Sequence, residues 1–384
     1  MTETARRPQR RAGSRDEVAA HIVVLVVWDL IGSAFLSWVE TALEVYLMDR
    51  CLARPIRVPE GSSRSIRTRQ EPFKRMQYNI LGSTGLKVSP VAFGTAPLGN
   101  LFGKVDESVA VGAVHHAMDS GINLFDSSPY YGGGLAEKRL GIAVDGRRDD
   151  VLIATKAGRN GADEFDFSPA AIRASMERSL QLLGTDYVDI FQLHDIEFAD
   201  LDSVFDESYA ELVKLRDEGK CRYIGMTGYP MRTLVRAVTE TDLDVVLSYA
   251  HSTLLNTELQ TSLAPVCQAR DTAIVNAAAV GLGLLTAAGP RIDFPAPATM
   301  LAVAREVAAL CASRGVDVSF LANQFSIQRS GCATTLVGTT KMKYIDAAVD
   351  AVSTAIDEQL LADVLALTAD IRSTSWVSGR TENN

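Results

Sequence analysis

The chain has 384 residues, Lys+Arg 38 against Asp+Glu 47, and a net charge of −9, with a pI near 5.2. A chain this acidic, with no broad basic face, argues against nucleic acid as a partner. The five cysteines (Cys51, Cys221, Cys267, Cys311, Cys332) form no CxxC and read as reduced thiols of a cytoplasmic protein; the five histidines show no ligand spacing, so no metal site is expected.

The first 75 residues differ in kind from the rest. Arg6, Arg7, Arg10, Arg11 and Arg15 precede a largely apolar run over 22–48, and an Arg-, Pro- and Ser-rich stretch follows over 50–75. Three readings stand: an appendage or translated upstream stretch, an amphipathic interaction helix, or a membrane anchor. Against the anchor, Asp29, Glu40 and Glu44 interrupt the run, and a charged side chain at mid-membrane costs roughly 2.5 to 3.5 kcal/mol. No small-residue cleavage site supports a signal peptide. The expected division is an N-terminal extension over 1–75 and one large barrel domain over 76–384, with no membrane association.

From Met76 the chain alternates strand and helix. A hairpin opens it, with Gly82 and Gly85 at its turn. Strands are expected at 89–95, 122–126, 150–156, 187–194, 221–228, 243–250, 272–278 and 332–339. Helices are expected at 107–121, 135–144, 169–184, 206–220, 231–241, 257–270, 299–315, 319–330 and 342–353, with an extra C-terminal helix beyond. Ser168 before Pro169 is an N-cap signal and Gly184 a C-terminal stop. This alternation predicts a (β/α)₈ TIM barrel with an N-terminal β-hairpin. A doubly wound sheet is the rival, but FGTAPLGN lacks the GxGxxG spacing that fold would show after its first strand.

Asp126, Tyr131, Lys156 and His194 fall at the ends of three successive strands, where such barrels carry their chemistry. A lysine beside a tyrosine lowers the phenol's pKa, an aspartate can hold the lysine charged, and a histidine can donate a hydrogen bond to a carbonyl oxygen. The set suits hydride transfer at a carbonyl carbon with tyrosine handling the proton.

The stretches FDSSPYYGGGLAEKRLG, IATKAGR, QLHD and LVGT occur in the order of the aldo-keto reductase superfamily's landmarks, and the chain resembles that superfamily over about residues 76 to 380. GSTGLKVSPVAFGTAPLGNLFG, DYVDIFQLHDIEF, GKCRYIGMTGYP and the near-terminal SWVSG are similar to its L-galactose dehydrogenase group, which includes D-threo-aldose (L-fucose) 1-dehydrogenases and pyridoxal 4-dehydrogenases. The resemblance implies an enzyme that oxidises an aldose at C1 to the lactone. The catalytic set would be Tyr131, Asp126, Lys156 and His194, with Tyr130 the alternative to Tyr131. It implies a nicotinamide cofactor held by Thr227, Gly338, Thr339, Thr340 and the position of Tyr344. NADP-preferring members have arginine at that last position, so Tyr344 favours NAD, while Lys341 and Lys343 keep NADP open. Thr339 and Thr340 could also simply cap a helix.

The ring platform near Asn276 and Ala277, where the family usually has tyrosine, is left open, and Gly228 brings no side chain. Asp195 and Glu197 could bond sugar hydroxyls or be solvated loop charges. Trp376 could cover the substrate or anchor the tail. His251 reads as a loop residue. The rivals are pyridoxal 4-dehydrogenase, a general carbonyl reductase and a non-enzymatic cofactor-binding subunit. A sugar- or pyridoxal-type small molecule is the expected partner, and the protein a monomer or homodimer.

Overall fold

The structure, a computed structural model, describes residues 76–290 and 294–384. The readings made for 1–75 lie outside the described residues. Two short antiparallel strands, β1 (Asn79–Ile80) and β2 (Lys87–Val88), form the hairpin. Both turn glycines take the left-handed conformation that the turn demands, Gly82 at φ 51° and Gly85 at φ 69°.

Eight parallel strands then close into a barrel. They are β3 (Val91–Gly94), β4 (Leu124–Asp126), β5 (Leu152–Ala157), β6 (Val188–Leu193), β7 (Cys221–Gly228), β8 (Val245–Tyr249), β9 (Ala273–Ala277) and β10 (Thr334–Val337). The ring runs in chain order and closes where β10 pairs with β3. Around it lie α1 (Glu107–Asp119), α2 (Leu135–Val144), α3 (Pro169–Leu183), α4 (Tyr209–Asp217), α5 (Met231–Glu240), α6 (Ala264–Ala269), α7 (Ala298–Ser313), α8 (Val318–Arg329), α9 (Met342–Ser353) and the extra α10 (Glu358–Leu367). Ser168 caps α3 by accepting from Ala171 N, and Gly184 ends it in the left-handed region.

Most of the expected strands are longer than those observed. The one expected at 122–126 begins only at Leu124: the Asn123 backbone N–H donates to Ser89 Oγ (3.2 Å) instead of to a strand carbonyl, and its side chain bonds the same segment. Its Oδ1 accepts from Ser89 N (2.8 Å) and its Nδ2 donates to Lys87 O (2.7 Å), tying the strand's entry to the hairpin. The helix expected from 206 starts earlier, as Leu201–Ser203, and passes through a π-helical turn at Val204–Ser208 before α4.

Leu81, Leu86 and Val88 of the hairpin segment pack with Ala92, Leu124, Ala154, Ile190, Val245, Leu247, Ala273, Val275 and Leu336. The hairpin therefore plugs the end of the barrel where the strands begin, and the opposite end is left to the loops. Between strands and helices lies a larger apolar cluster built on α1 to α4 and another on α7, α8 and α10. Among the described residues no helix is long and apolar enough to cross a membrane, and no group of three His, Cys, Asp or Glu is placed to hold a metal ion.

Candidate active site

A cavity of about 640 Å³ opens at the C-terminal ends of the strands. Asp126, Tyr131, Lys156 and His194 all line it, so the four residues singled out from the sequence are brought together. Each is delivered by its own element. Asp126 is the last residue of β4, Lys156 sits one residue before the end of β5, and His194 follows β6 directly, its N–H donating to Ala157 O (2.8 Å). Tyr131 lies in the loop to α2. Gly132 (φ +72°) and Gly99 fix that loop by packing backbone on backbone: a Cβ on Gly99 would lie 2.3 Å from Tyr131 O.

Lys156 Nζ donates to Asp126 Oδ1 and to Ser127 O (2.7 Å), and Gln192 Nε2 donates to Asp126 Oδ2 (3.3 Å). Burial pushes the ammonium down, but Asp126 and Tyr131 raise it by more. Burial also raises Asp126, against the pull of Lys156. With Nζ bonded by two oxygens, the pair is ionised and the lysine carries its charge.

Lys156 Nζ stands 5.2 Å from the Tyr131 ring centroid. The expectation that the lysine leaves the phenol below its ordinary value is corrected here. Tyr131 is partly accessible from the cavity, yet desolvation dominates and pushes its pKa from 10.0 to about 12, with Lys156 acting in the opposite sense. Lys156 limits the rise rather than reversing it.

His194 is held neutral, burial driving its pKa down to about 3. Ser128 Oγ accepts from Tyr130 N (3.2 Å), so its hydroxyl proton is free to go to His194 Nδ1 at 2.9 Å. That assignment puts the ring proton on Nε2. Nε2 is 3.7 Å from Asp195 Oδ2, too far for a hydrogen bond, and remains available as a donor to the cavity.

The remaining sequence candidates separate. Gly338 lines the cavity. Thr227 lines it too, but its Oγ1 is engaged by Asp195, accepting the Asp195 N–H at 3.0 Å. Thr339 Oγ1 accepts from Lys341 N (3.1 Å), a capping bond just ahead of α9. Thr340 is half-buried, and Tyr344, 46% exposed, lies outside the cavity on the first turn of α9, with Lys341 and Lys343 within 5.7 and 4.9 Å of its ring. Asp195 lines the cavity in an ion pair with Arg159.

Glu197 is neither a solvated charge nor a cavity residue. It is fully buried, accepts from Tyr229 N (3.2 Å) and Ser378 Oγ (2.9 Å), and is pushed up to about 8 by burial and the nearby Asp195 charge. A Cβ on Gly228 would come within 2.9 Å of its Oε2. Trp376 does not line the cavity. It stacks on Tyr229 at 4.3 Å and meets Phe294 edge-on, packing as an anchor for the tail. His251 is buried, with Nδ1 3.0 Å from Tyr249 O.

Sequence reasoning missed Arg159, Tyr249, Phe102 and the Ala278–Val280 segment, all on the cavity wall, while Ala277, at the place of the ring platform, lines it too. Arg159 stood within the IATKAGR stretch, three residues past Lys156, and that position was its only signal.

The residues present fit a nicotinamide dinucleotide. From the four central residues the cavity wall continues through Ala277–Val280, Leu282, Gly283 and Leu336–Gly338. Beyond Gly338 comes the N-terminus of α9, whose cap residue Lys341 makes no side-chain cap bond. Unbonded N–H groups beside Lys341 and Lys343 suit a phosphate.

Residues 90–368 match the description "Aldo/keto reductase family". An L-galactose dehydrogenase of Arabidopsis thaliana is 38% identical over 324 residues, covering 80% of this chain and 99% of that one. A D-threo-aldose 1-dehydrogenase of a Pseudomonas species is 33% identical, over 67% of this chain and 87% of its own. Among solved structures, an aldo-keto reductase from Bacillus halodurans superposes with a TM-score of 0.67 at 23% identity, covering 81% of this chain and all of that one, a likeness of fold. The family works with nicotinamide cofactors, and this chain belongs to it: the protein is an oxidoreductase of the aldo/keto reductase family.

Proposed function

We propose that the protein is an NAD-dependent aldose 1-dehydrogenase, oxidising a sugar of the L-galactose or L-fucose type at C1 to its lactone. The observation that carries this reading is the gathering of Tyr131, Lys156, Asp126 and His194 around one cavity, with a neutral imidazole presenting Nε2–H beside a phenol next to a charged lysine. When bound, the nicotinamide supplies the hydride acceptor. His194 Nε2 holds the C1 oxygen by donating to it. Tyr131, as phenolate, takes the C1 hydroxyl proton; Lys156 makes that phenolate accessible, and Asp126 keeps Lys156 charged and in place. Gly338, Thr339, Thr340 and the start of α9 would hold the dinucleotide, with Thr227 nearer its reactive end. The lack of an arginine at Tyr344 supports NAD over NADP, since a 2′-phosphate would lose its bidentate partner.

A second reading has support in the wall itself. Phe102, Tyr130 and Tyr249 line the cavity and suit a flat aromatic substrate such as pyridoxal, and a pyridoxal 4-dehydrogenase of Microbacterium luteolum is 27% identical over 307 residues. Steady-state turnover of L-galactose, L-fucose, D-arabinose and pyridoxal with NAD and with NADP separates the two. The expected result is the highest kcat/KM for an aldose with NAD. Turnover confined to pyridoxal would replace the first reading with the second. The Tyr131→Phe variant should lose at least about 10²-fold in kcat with NAD binding unchanged.

A further inference from the structure

Arg159 is not part of the mechanism above, yet it is among the most firmly held side chains on the cavity wall. Its Nη1 donates to Asp195 Oδ2, its Nε to Gly161 O (3.3 Å) and its Nη2 to Ala162 O (3.3 Å). The guanidinium lies 4.2 Å from the Tyr130 ring centroid and 5.3 and 5.5 Å from Phe165 and Phe198, which stack on each other. These bonds leave one N–H on each Nη. Its partner Asp195 has φ 55°, its N–H donates to Thr227 Oγ1 (3.0 Å), and its carboxylate is held by Arg159 on Oδ2 and by the Thr227 hydroxyl on Oδ1 (3.4 Å).

Two facts give the pair a role. First, among the described residues the charged ones lining the cavity are Asp126, Lys156, Arg159 and Asp195, and they close into two ion pairs. Among the described residues the wall therefore offers no uncompensated cation to an anionic substrate. Second, Asp195 Oδ2 is 3.7 Å from His194 Nε2, the nitrogen that presents its hydrogen to the cavity. A substrate oxygen bonded to Nε2 would have Asp195 Oδ2 within reach of a substituent on the neighbouring carbon.

We propose, resting on the aldose reading above, that the Arg159–Asp195 pair reads the substituent on the carbon next to the reacting carbon, engaging a neutral hydroxyl there and turning away a carboxylate. A hydroxyl both donates and accepts, so it can give its proton to Asp195 and take an N–H from Arg159. A carboxylate would face the Asp195 charge directly and cannot donate to it, and the guanidinium's own charge is already compensated by Asp195. Asp195 thus converts an arginine that would otherwise select acids into half of a hydroxyl reader.

The test compares wild type with Asp195→Asn, a substitution that keeps the shape and tolerates a positive φ. Galactose and its 2-deoxy counterpart of the same hand are turned over, and glycolaldehyde and glyoxylate are titrated calorimetrically. Wild type should favour the sugar over its 2-deoxy form at least about tenfold in kcat/KM and bind glycolaldehyde in preference to glyoxylate. In Asp195→Asn the 2-hydroxyl preference should fall to about threefold or less and glyoxylate should bind at least about tenfold more tightly, because the guanidinium charge is left uncompensated and the repelling carboxylate is gone. An unchanged 2-hydroxyl ratio, an equal loss on both sugars, or wild type binding glyoxylate as well as glycolaldehyde would each overturn the proposal. The wild-type titrations decide it even if the variant does not fold. If wild type oxidises no aldose with either nicotinamide, the proposed function falls, and the two aldehyde titrations still judge the pair.

Discussion

Lys156→Met replaces a fully buried cation with a side chain of similar length. In wild type, Nζ lies 5.2 Å from the Tyr131 ring centroid. At an effective dielectric near 20, a unit charge at that separation favours the phenolate by about 3 kcal/mol, or roughly two pK units. Tyr131 already stands at about 12 with the lysine present. Without it, desolvation and the charge of Asp126 act unopposed, so the phenolate fraction in the neutral range should drop about 10²-fold. Removing one partner of a buried pair also costs about 3 to 5 kcal/mol of stability. Lys156→Met/Asp126→Asn should recover much of that stability without recovering the rate. The assay is kcat for aldose oxidation at saturating nicotinamide, from about pH 6 to about pH 10. Wild type should rise with pH, and Lys156→Met should rise in parallel about 10²-fold lower. A Lys156→Met enzyme within about threefold of wild type across that range would refute the argument that the lysine sets the tyrosine's basicity.

Other outcomes follow from the same geometry. Glu197, raised from 4.5 to about 8, binds a proton in the folded state that it releases when unfolded. Its contribution is therefore complete below the ordinary carboxyl range and is lost as pH rises toward 8; Glu197→Gln should flatten the fall in Tm between pH 5 and pH 8, and parallel Tm curves would refute this. His251 runs the other way: lowered to about 4, it should cost stability as pH falls below 6.5, and replacing it with Gln should reduce that acid sensitivity in urea unfolding. Tyr344→Arg should raise kcat/KM with NADP relative to NAD by adding a charge-assisted 2′-phosphate contact; a wild type that already prefers NADP would assign that contact to Lys341 or Lys343. A chain begun at Met76 keeps the hairpin plug and every described cavity residue, so its kcat/KM and Tm should match those of the full chain.

The barrel and its central residues could be read from the sequence because both are written locally. Asp126, Lys156 and His194 end or directly follow runs such as LFD, LIATK and VDIFQL, whose β-branched and aromatic residues announce strands, and strand ends locate the chemistry. What escaped depends on partners far apart in the chain. Arg159 meets Asp195 across 36 positions, and Trp376 meets Tyr229 across 147. No periodicity records such pairings. Desolvation of Tyr131 is likewise a property of the assembled cavity. The sequence pairs the tyrosine with a lysine, but it does not show how much water the fold removes from the phenol. Asn123 illustrates the reverse error: its apolar neighbours suggested a longer strand, but its backbone N–H is given to Ser89 Oγ and its side chain to Ser89 and Lys87.

The closure of the barrel sets the order in which this protein can come into being. Thr335 sits beside Val91, so the first and last strands of the ring must meet across nearly the whole domain. Contacts of such long sequence separation form slowly, because the chain loses loop entropy before the contact rewards it. Until β10 emerges from the ribosome, strands β3 to β9 can form only an open sheet, with β3 and β9 as bare edges rich in alanine and valine. Each edge can recruit the same strand from a neighbouring nascent chain. Ring closure thus competes with sheet-to-sheet association, and the yield of folded enzyme in a cell should follow that competition. Slower synthesis at lower temperature, or a chaperone that shields the two edges, should favour the ring.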